Sequence, residues 1–336
     1  MPSQNFIFHL LMFAFTLASH GCQQKKVKAD QNISSIIKKS ETINKPNGVP
    51  ENPAVIYRSN DTGMTWHAFD NGIPEEATLS DIKQSDNKVY ATTDYHGAYV
   101  SVDGQNNWTK LSGKILEGTD INCIEIDNKH IVIGTLRQGT FISSDGGLSW
   151  NPSKGNIKSP IRAFFKTEST FYAGTDSGIF ESADMGNTWT HVFGQMQILG
   201  FTSLKNKIYA ATQSGAIMSN DDGSKWKSIY TGDALHDIGN DGTSIYAMTI
   251  GQQLLKTQND GESWENAQNG ITRPPNFYTN ELQHTGNNIF SAQWIGIYHS
   301  QNNGNNWKLL SGLPDATAFS TLEITDYGII AGISIR

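Results

Sequence analysis

Short apolar runs alternate with polar turns along most of the chain, and the runs return in a fixed order. Residues 121–153 contain INCIEI, HIVIGT, GTFISS and WNPS; residues 161–193 contain IRAFFK, TFYAGT, GIFES and WTHVF; residues 198–230 contain ILGFTS, KIYAAT, GAIMS and WKSIY. Runs of this length, rich in β-branched and aromatic residues and bounded by Gly, Asn, Asp and Ser, predict strands. No long segment carries apolar residues at i, i+3, i+4 and i+7, the spacing of an amphipathic helix. A repeating unit of four strands joined by tight turns is therefore predicted.

A motif marks each unit. SNDTGMTW (59–66), SVDGQNNW (101–108), SSDGGLSW (143–150), SADMGNTW (182–189), SNDDGSKW (219–226), TQNDGESW (257–264) and SQNNGNNW (300–307) each lie between two apolar runs. Their closing tryptophans, Trp66, Trp108, Trp150, Trp189, Trp226, Trp264 and Trp307, are 42, 42, 39, 37, 38 and 43 residues apart. A period near 40 marks an array of like supersecondary units. The third position holds Asp61, Asp103, Asp145, Asp184, Asp221, Asn259 or Asn302. Such side chains bond nearby backbone amides in turns. Glycine at the fifth position supplies positive φ without steric cost; Gln105 stands there in the second copy. The tryptophan buries a large area against the neighbouring unit. The motif is thus expected to be the turn between the third and fourth strands.

Seven such units predict an all-β, seven-bladed β-propeller of four-stranded antiparallel blades over residues 51–336. The ends fit a closed ring. The chain enters at AVIYRS, already a third strand, and leaves through STLEIT and YGIIAGIS, a first and second strand with no motif after them. Joined, they complete one blade and leave no open edge.

The motif S-x-D-x-G-x-T-W resembles the Asp-box, or bacterial neuraminidase repeat, of sialidases, sortilin-type receptor propellers, xyloglucanases and photosystem II stability/assembly factors. With one seven-bladed propeller and a motif in every blade, the chain is most similar to the last family. That resemblance implies a non-catalytic module that assists assembly by holding a partner. A glycoside hydrolase of sialidase-like type is the alternative. Sialidases use three arginines to hold a carboxylate and a Tyr–Glu pair as nucleophile. This chain has five arginines in all, Arg58, Arg137, Arg162, Arg273 and Arg336, lacks the arginine-isoleucine-proline signature and counts seven blades where sialidases have six. Its length excludes the two propellers of a xyloglucanase. A surface protein for adhesion or glycan capture is a third reading. No cofactor is implied, and the Asp-rich turns lack the spacing and terminal Glu of a calcium loop, so no metal is expected.

The ends also carry targeting signals. Residues 1–21 contain no Lys, Arg, Asp or Glu, and Phe6 to Ala18 is an apolar run broken only by His9 and Thr16. The run has the length of a signal-peptide core and is short for a membrane span. LASHGC resembles a bacterial lipoprotein signal with Cys22 as the lipidated residue, although Ser19 stands where leucine is usual. Residues 22–50 hold six lysines against one Asp and one Glu and read as a flexible tether. The expected location is the bacterial cell envelope, held to the membrane by lipid at Cys22. From residue 51 the chain has 19 Lys+Arg and 30 Asp+Glu, a balance that argues against nucleic acid. Cys123, in an apolar run, is expected to be a small buried residue. A monomeric propeller is expected.

A site is expected opposite the motif turns, where second-to-third turns and inter-blade connections meet. That face collects Tyr95, His96, Arg137, Gln138, Asp176, Gln213, Gln252, Trp294 and Arg336. Near the starts of the innermost strands stand Ser80, Asn122, Arg162, His236, Asn280 and Ser320, polar in six of seven blades, with Leu199 the exception. Tyr95, His96, Arg137, Arg162, His236, Asn280, Trp294 and Arg336 are the candidate ligand-binding residues. Arginine forks suit carboxylates, and exposed aromatics suit sugars or peptide side chains. An envelope protein or a glycan is the expected partner. The insert 271–280, with Arg273, Phe277 and Tyr278, is the most distinctive rim loop.

Overall fold

A computed structural model describes residues 54–111, 113, 116–155, 157–251, 253–272, 279–314 and 317–335. The signal, Cys22, the tether, Gln252, Arg273, Phe277, Tyr278 and Arg336 lie outside the described residues. The described residues form seven four-stranded antiparallel sheets, six of them ordered by sequence from the innermost strand outward. The innermost strands are Ala318–Thr325 (blade 1), Leu79–Ser85 (blade 2), Ile121–Asp127 (blade 3), Ile161–Lys166 (blade 4), Ile198–Leu204 (blade 5), Leu235–Asn240 (blade 6) and Thr279–Thr285 (blade 7). Each packs against the inner strands of both adjacent blades, and the series closes from blade 7 through blade 1 to blade 2.

Blade 1 is the composite that the chain ends predicted. Its outer strands, His67–Ala68 and Ile56–Ser59, come from the start of the propeller; its inner ones, Gly328–Ile335 and Ala318–Thr325, come from the end. The seam runs antiparallel from Ile56 opposite Gly332 to Ser59 opposite Ile329.

Both faces of a blade are covered by neighbours, so the middle strands are apolar throughout rather than alternating. His130–Thr135 and Lys207–Thr212 are buried at every position but the first. Seven hydrophobic clusters fill the seven gaps between adjacent blades, from Ile82, Val89 and Trp108 in one to Tyr57, Phe290 and Phe319 in another.

The motif turns fasten these gaps. In SSDGGLSW, Ser143 Oγ donates to Asp145 Oδ1 (2.8 Å) and accepts from Gly147 N (2.8 Å), while Ser149 N (2.9 Å) and Ser149 Oγ (2.6 Å) donate to the same carboxylate. These bonds hold the carboxyls of Asp61 and Asp145 down at about 2. Asn259 and Asn302 keep the amide bonds, from Ser263 N (3.0 Å) and Asn306 N (2.9 Å). The glycine faces the preceding blade at van der Waals distance: a Cβ on Gly223 would lie 2.6 Å from Tyr172 Oη, and one on Gly304 2.5 Å from Tyr246 Oη. Trp307 Nε1 and Trp264 Nε1 donate to carbonyls of the preceding blade's edge, Ala267 O (2.7 Å) and Ile229 O (3.1 Å). Burying one such ring of 150–250 Å² removes roughly 4–6 kcal/mol of apolar surface cost. The motif is therefore a fastener between blades as well as a turn.

Blade 2 departs from this pattern. With Gln105 at the fifth position, positive φ moves one residue earlier, to Asp103 (52°) and Gly104 (63°). Asp103 then accepts from Asn87 Nδ2 (2.7 Å) instead of from its own turn.

Candidate functional site

Inner strands run from one face to the other, second strands return and third strands descend again. Second-to-third turns therefore share a face with the inter-blade connections, here the connection face; the motif turns lie on the opposite face. Backbone bonds tie the two kinds of loop together: Asp94 N to Thr78 O (2.9 Å), Leu136 N to Asp120 O (3.1 Å), Asp176 N to Pro160 O (3.2 Å), Gln213 N to Gln197 O (3.2 Å) and Ile250 N to Ala234 O (2.8 Å).

Two of the sequence-predicted residues are brought together by this arrangement. Tyr95, in the turn of blade 2, has φ 66°, and its ring is 39% exposed. A non-glycine residue in that region costs on the order of 1–2 kcal/mol. The connection between blades 2 and 3 holds it there: Tyr95 N donates to Thr119 O (3.2 Å) and Gly118 N to Tyr95 O (3.2 Å). Arg137, in the corresponding turn of blade 3, donates from Nη2 to the Tyr95 hydroxyl. Its Nε donates to Asp120 Oδ2 (2.5 Å), a carboxylate only 3% exposed, while the arginine itself is 59% exposed. The Asp120 hydrogen bond pushes the arginine pKa up, and burial pushes the Tyr95 hydroxyl up, so the pair stays cationic and neutral respectively. Asp120 Oδ1 is buried with no hydrogen-bond partner among the described residues. The result is a guanidinium and an aromatic ring, both exposed and both held from behind.

The other candidates are distributed differently. His96 Nδ1 lies 3.1 Å from Asp94 O and Nε2 3.6 Å from Glu76 Oε1. Trp294 is half-buried in the corresponding turn of blade 7. Arg162 makes a two-pronged bond to Asp176 (2.7 and 2.8 Å), and Gln197 Nε2 adds a third (2.6 Å). Its fork is thus already filled from within the chain.

Every inner strand has a register slip at its start, between Leu79/Asp81, Ile121/Cys123, Ile161/Ala163, Ile198/Gly200, Leu235/Asp237, Thr279/Glu281 and Phe319/Thr321. The skipped residues are Ser80, Asn122, Arg162, Leu199, His236, Asn280 and Ser320, the same set that the sequence marked as lining the channel mouth. Such bulges re-aim a side chain. Asn122 Nδ2 donates to Ile161 O (3.1 Å), Asn280 Nδ2 to Phe319 O (2.6 Å) and Ser320 Oγ to Leu79 O (2.8 Å), each in the next blade. Polarity at these three positions joins blades around the ring. His236 is pushed down to about 4 by burial and is neutral at physiological pH.

Deeper in the channel lies a belt that the sequence reading missed. Asp81 Oδ2 accepts from Ile124 N (3.0 Å), Glu281 Oε2 from Leu322 N (2.7 Å) and Glu323 Oε1 from Gln84 N (3.4 Å). Inner strands have an unpaired edge on the channel, and these carboxylates satisfy N–H groups of the next blade along it. Burial raises the carboxyls of Asp81, Glu125, Asp237 and Glu281, and raises Glu323 to about 7. Lys83 stands among them and is pushed well up, first by Asp81 and then against its own burial by Glu323, Glu281 and Glu125. Aligning the repeats on their bulges would have shown an acid after the skipped residue in SDI, HDI and NEL. No group of three His, Cys, Asp or Glu among the described residues is placed to hold a metal ion. Cys123 is buried, and burial raises its thiol well above the usual range.

Against known structures the likeness is one of fold. YCF48 from Cyanidioschyzon merolae matches with a TM-score of 0.61 at 13% identity, over 77% of this chain and 95% of that one. A structure of YCF48 bound to D1 peptide matches at 0.63 and 16% identity, over 87% and 96%. The GH74 xyloglucanase from Xanthomonas campestris matches at 0.63 and 15% identity, over 77% of this chain and 51% of the enzyme. No protein-family model matches the sequence, and no curated protein matches it. At these identities the propeller architecture is shared, and the site must be argued from this chain's own residues.

Proposed function

We propose that the chain is a non-catalytic binding propeller of the Asp-box type that holds a protein or glycan partner on its connection face. The observation that carries this reading is the Tyr95–Arg137 pair. A strained tyrosine and an arginine, contributed by two blades and backed by buried Asp120, are exposed together. Strain kept at an exposed residue is a mark of function, and aromatic and arginine anchors dominate binding interfaces. The Tyr95 hydroxyl meets an arginine rather than a glutamate, which favours binding over sialidase-like chemistry. The similar fold of a YCF48 structure bound to D1 peptide supports a protein partner. In the same reading the propeller is a lipoprotein of the bacterial envelope, anchored at Cys22.

The test is a capture experiment from detergent-solubilised envelopes of the native cell. Residues 47–336 serve as bait beside a Tyr95→Ser/Arg137→Gln variant. A partner held by the parent and lost by the variant, at unchanged melting temperature, supports the proposal. Equal capture by both baits places the site elsewhere. Mass spectrometry of the protein purified from membranes checks the anchor: acyl chains on Cys22 are expected, and an unmodified Cys22 overturns it.

A further inference from the structure

Blade 4 carries a cleft outside the Tyr95–Arg137 pair. It is shallow and largely open to solvent, with walls of Asp176, Ser177, Phe180, His191 and Gln195 and a volume of about 440 Å³. The outer strand beside it is irregular. The third strand Gly178–Ser182 pairs with the outer strand Thr190–Phe193, but Ile179 opposes Phe193 and Phe180 opposes His191, so Val192 is an extra residue. Blade 5 carries the same slip in its outer strand Lys227–Thr231, with Ile229 the extra residue, whereas the outer strands of blades 1, 2, 3, 6 and 7 are two residues long. The bulge sets His191 edge-on to Phe180, with ring centroids 4.9 Å apart at 63°.

We propose that this cleft binds a neutral pyranose ring of a glycan. The polar groups around it are oriented, and its one carboxylate is already paired. Asp176 is neutralised by the Arg162 fork, which takes one lone pair on each oxygen; Gln197 takes the second on Oδ1. One lone pair on Oδ2 remains to accept a hydroxyl. His191 Nε2 lies 3.1 Å from Ser177 O. A carbonyl only accepts, so Nε2 carries a hydrogen and Nδ1 is the ring nitrogen left for a ligand. Gln195 is exposed and offers an amide donor and acceptor. Half-buried Phe180, packed on the cluster between blades 3 and 4 and edged by His191, supplies the apolar part of the wall. An anionic sugar would meet Asp176, and a cation gains little from a carboxylate already paired. A ring with an apolar face and neutral hydroxyls around its rim matches what is left. The site is separate from the Tyr95–Arg137 pair, so it stands or falls independently of the partner proposed there.

Saturation-transfer NMR on the full chain tests it, with methyl β-D-glucopyranoside, methyl β-D-galactopyranoside and N-acetyl-D-glucosamine at about 20 mM, enough to register a millimolar Kd. Transfer to at least one sugar is expected. Phe180→Ala should weaken it about threefold to tenfold, the worth of an aromatic contact, whereas Tyr95→Ser/Arg137→Gln should leave it unchanged. Gln195→Ala, an exposed change, should also weaken transfer, and it replaces Phe180→Ala as the test if that variant lowers the melting temperature. Transfer to none of the three sugars overturns the proposal. So does transfer that survives both cleft variants, or transfer only to a neutral tripeptide amide run alongside.

Discussion

Replacing Lys83 with methionine tests the reading of the channel belt most sharply. The change keeps the length of the side chain and removes the cation whose field lowers Asp81, Glu125, Asp237, Glu281 and Glu323 alike. Three of these carboxylates also hold the N–H edge of a neighbouring blade, at Ile124, Leu322 and Gln84. The cluster is half-buried, and no carboxylate among the described residues lies within ion-pair distance of Lys83, so the cost is about half the 3–5 kcal/mol of a close buried pair, about 1.5–2.5 kcal/mol. At about 2 °C per kcal/mol for a chain of this size, the melting temperature should fall by about 3–5 °C at pH 8. The loss should shrink by about half or more at pH 5, because Glu323, raised to about 7, and the other raised carboxyls can then carry protons instead. The assay is thermal unfolding followed by tryptophan fluorescence at both pH values. A Lys83→Met protein that melts within about 2 °C of the parent at pH 8, or loses as much at pH 5 as at pH 8, would refute the belt.

Four further outcomes follow from the same structure. The unaltered chain should melt higher at pH 5 than at pH 8: a carboxyl raised from 4.5 to about 7, as at Glu323, contributes stability that is full below 4.5 and lost as the pH rises through 7. Asp61 and Asp145, lowered to about 2, contribute stability present above 3.8 and lost as the pH falls toward 2, so stability should also decline at strongly acid pH; a flat profile from pH 2 to 8 contradicts both. Gly223→Ala, at φ +80° and 2.6 Å from Tyr172 Oη, should cost about 2–4 kcal/mol, and adding Tyr172→Phe should return part of it; denaturant unfolding of the single and double variants reads the coupling. A chain ending at residue 320 loses the strand Gly328–Ile335 and most of Ala318–Thr325, the inner half of blade 1, and should not fold; a soluble product that melts like the parent would contradict the closed ring.

The architecture was legible because it is written seven times. A turn motif at a steady period, apolar runs of strand length and two unmatched ends were enough for blade number and closure. The site was less legible because polarity on the channel has several causes. Asn122, Asn280 and Ser320 looked like ligand groups and instead bond the next blade, a role set by a bulge that no local pattern reveals. Arg162 looked like an open fork and is filled by Asp176, a residue of its own blade. Tyr95 and Arg137 stand 42 positions apart, and only the connection between blades 2 and 3 brings them together. The acid belt was readable in part, in SDI, HDI and NEL, once the bulged positions are aligned. The blade 4 cleft was not, because its lining comes from a turn, a third strand and an outer strand that no shared local pattern links.

The central claim is that the partner is held at Tyr95 and Arg137 on the connection face. A photo-crosslinking residue placed at exposed Gln138, beside Arg137, with a second protein carrying it at exposed Glu262 on the motif face, tests it most directly in the native cell. The account predicts a specific adduct from position 138 and none from position 262. The same adduct from 262 and none from 138 would put the working surface on the opposite face and contradict the account.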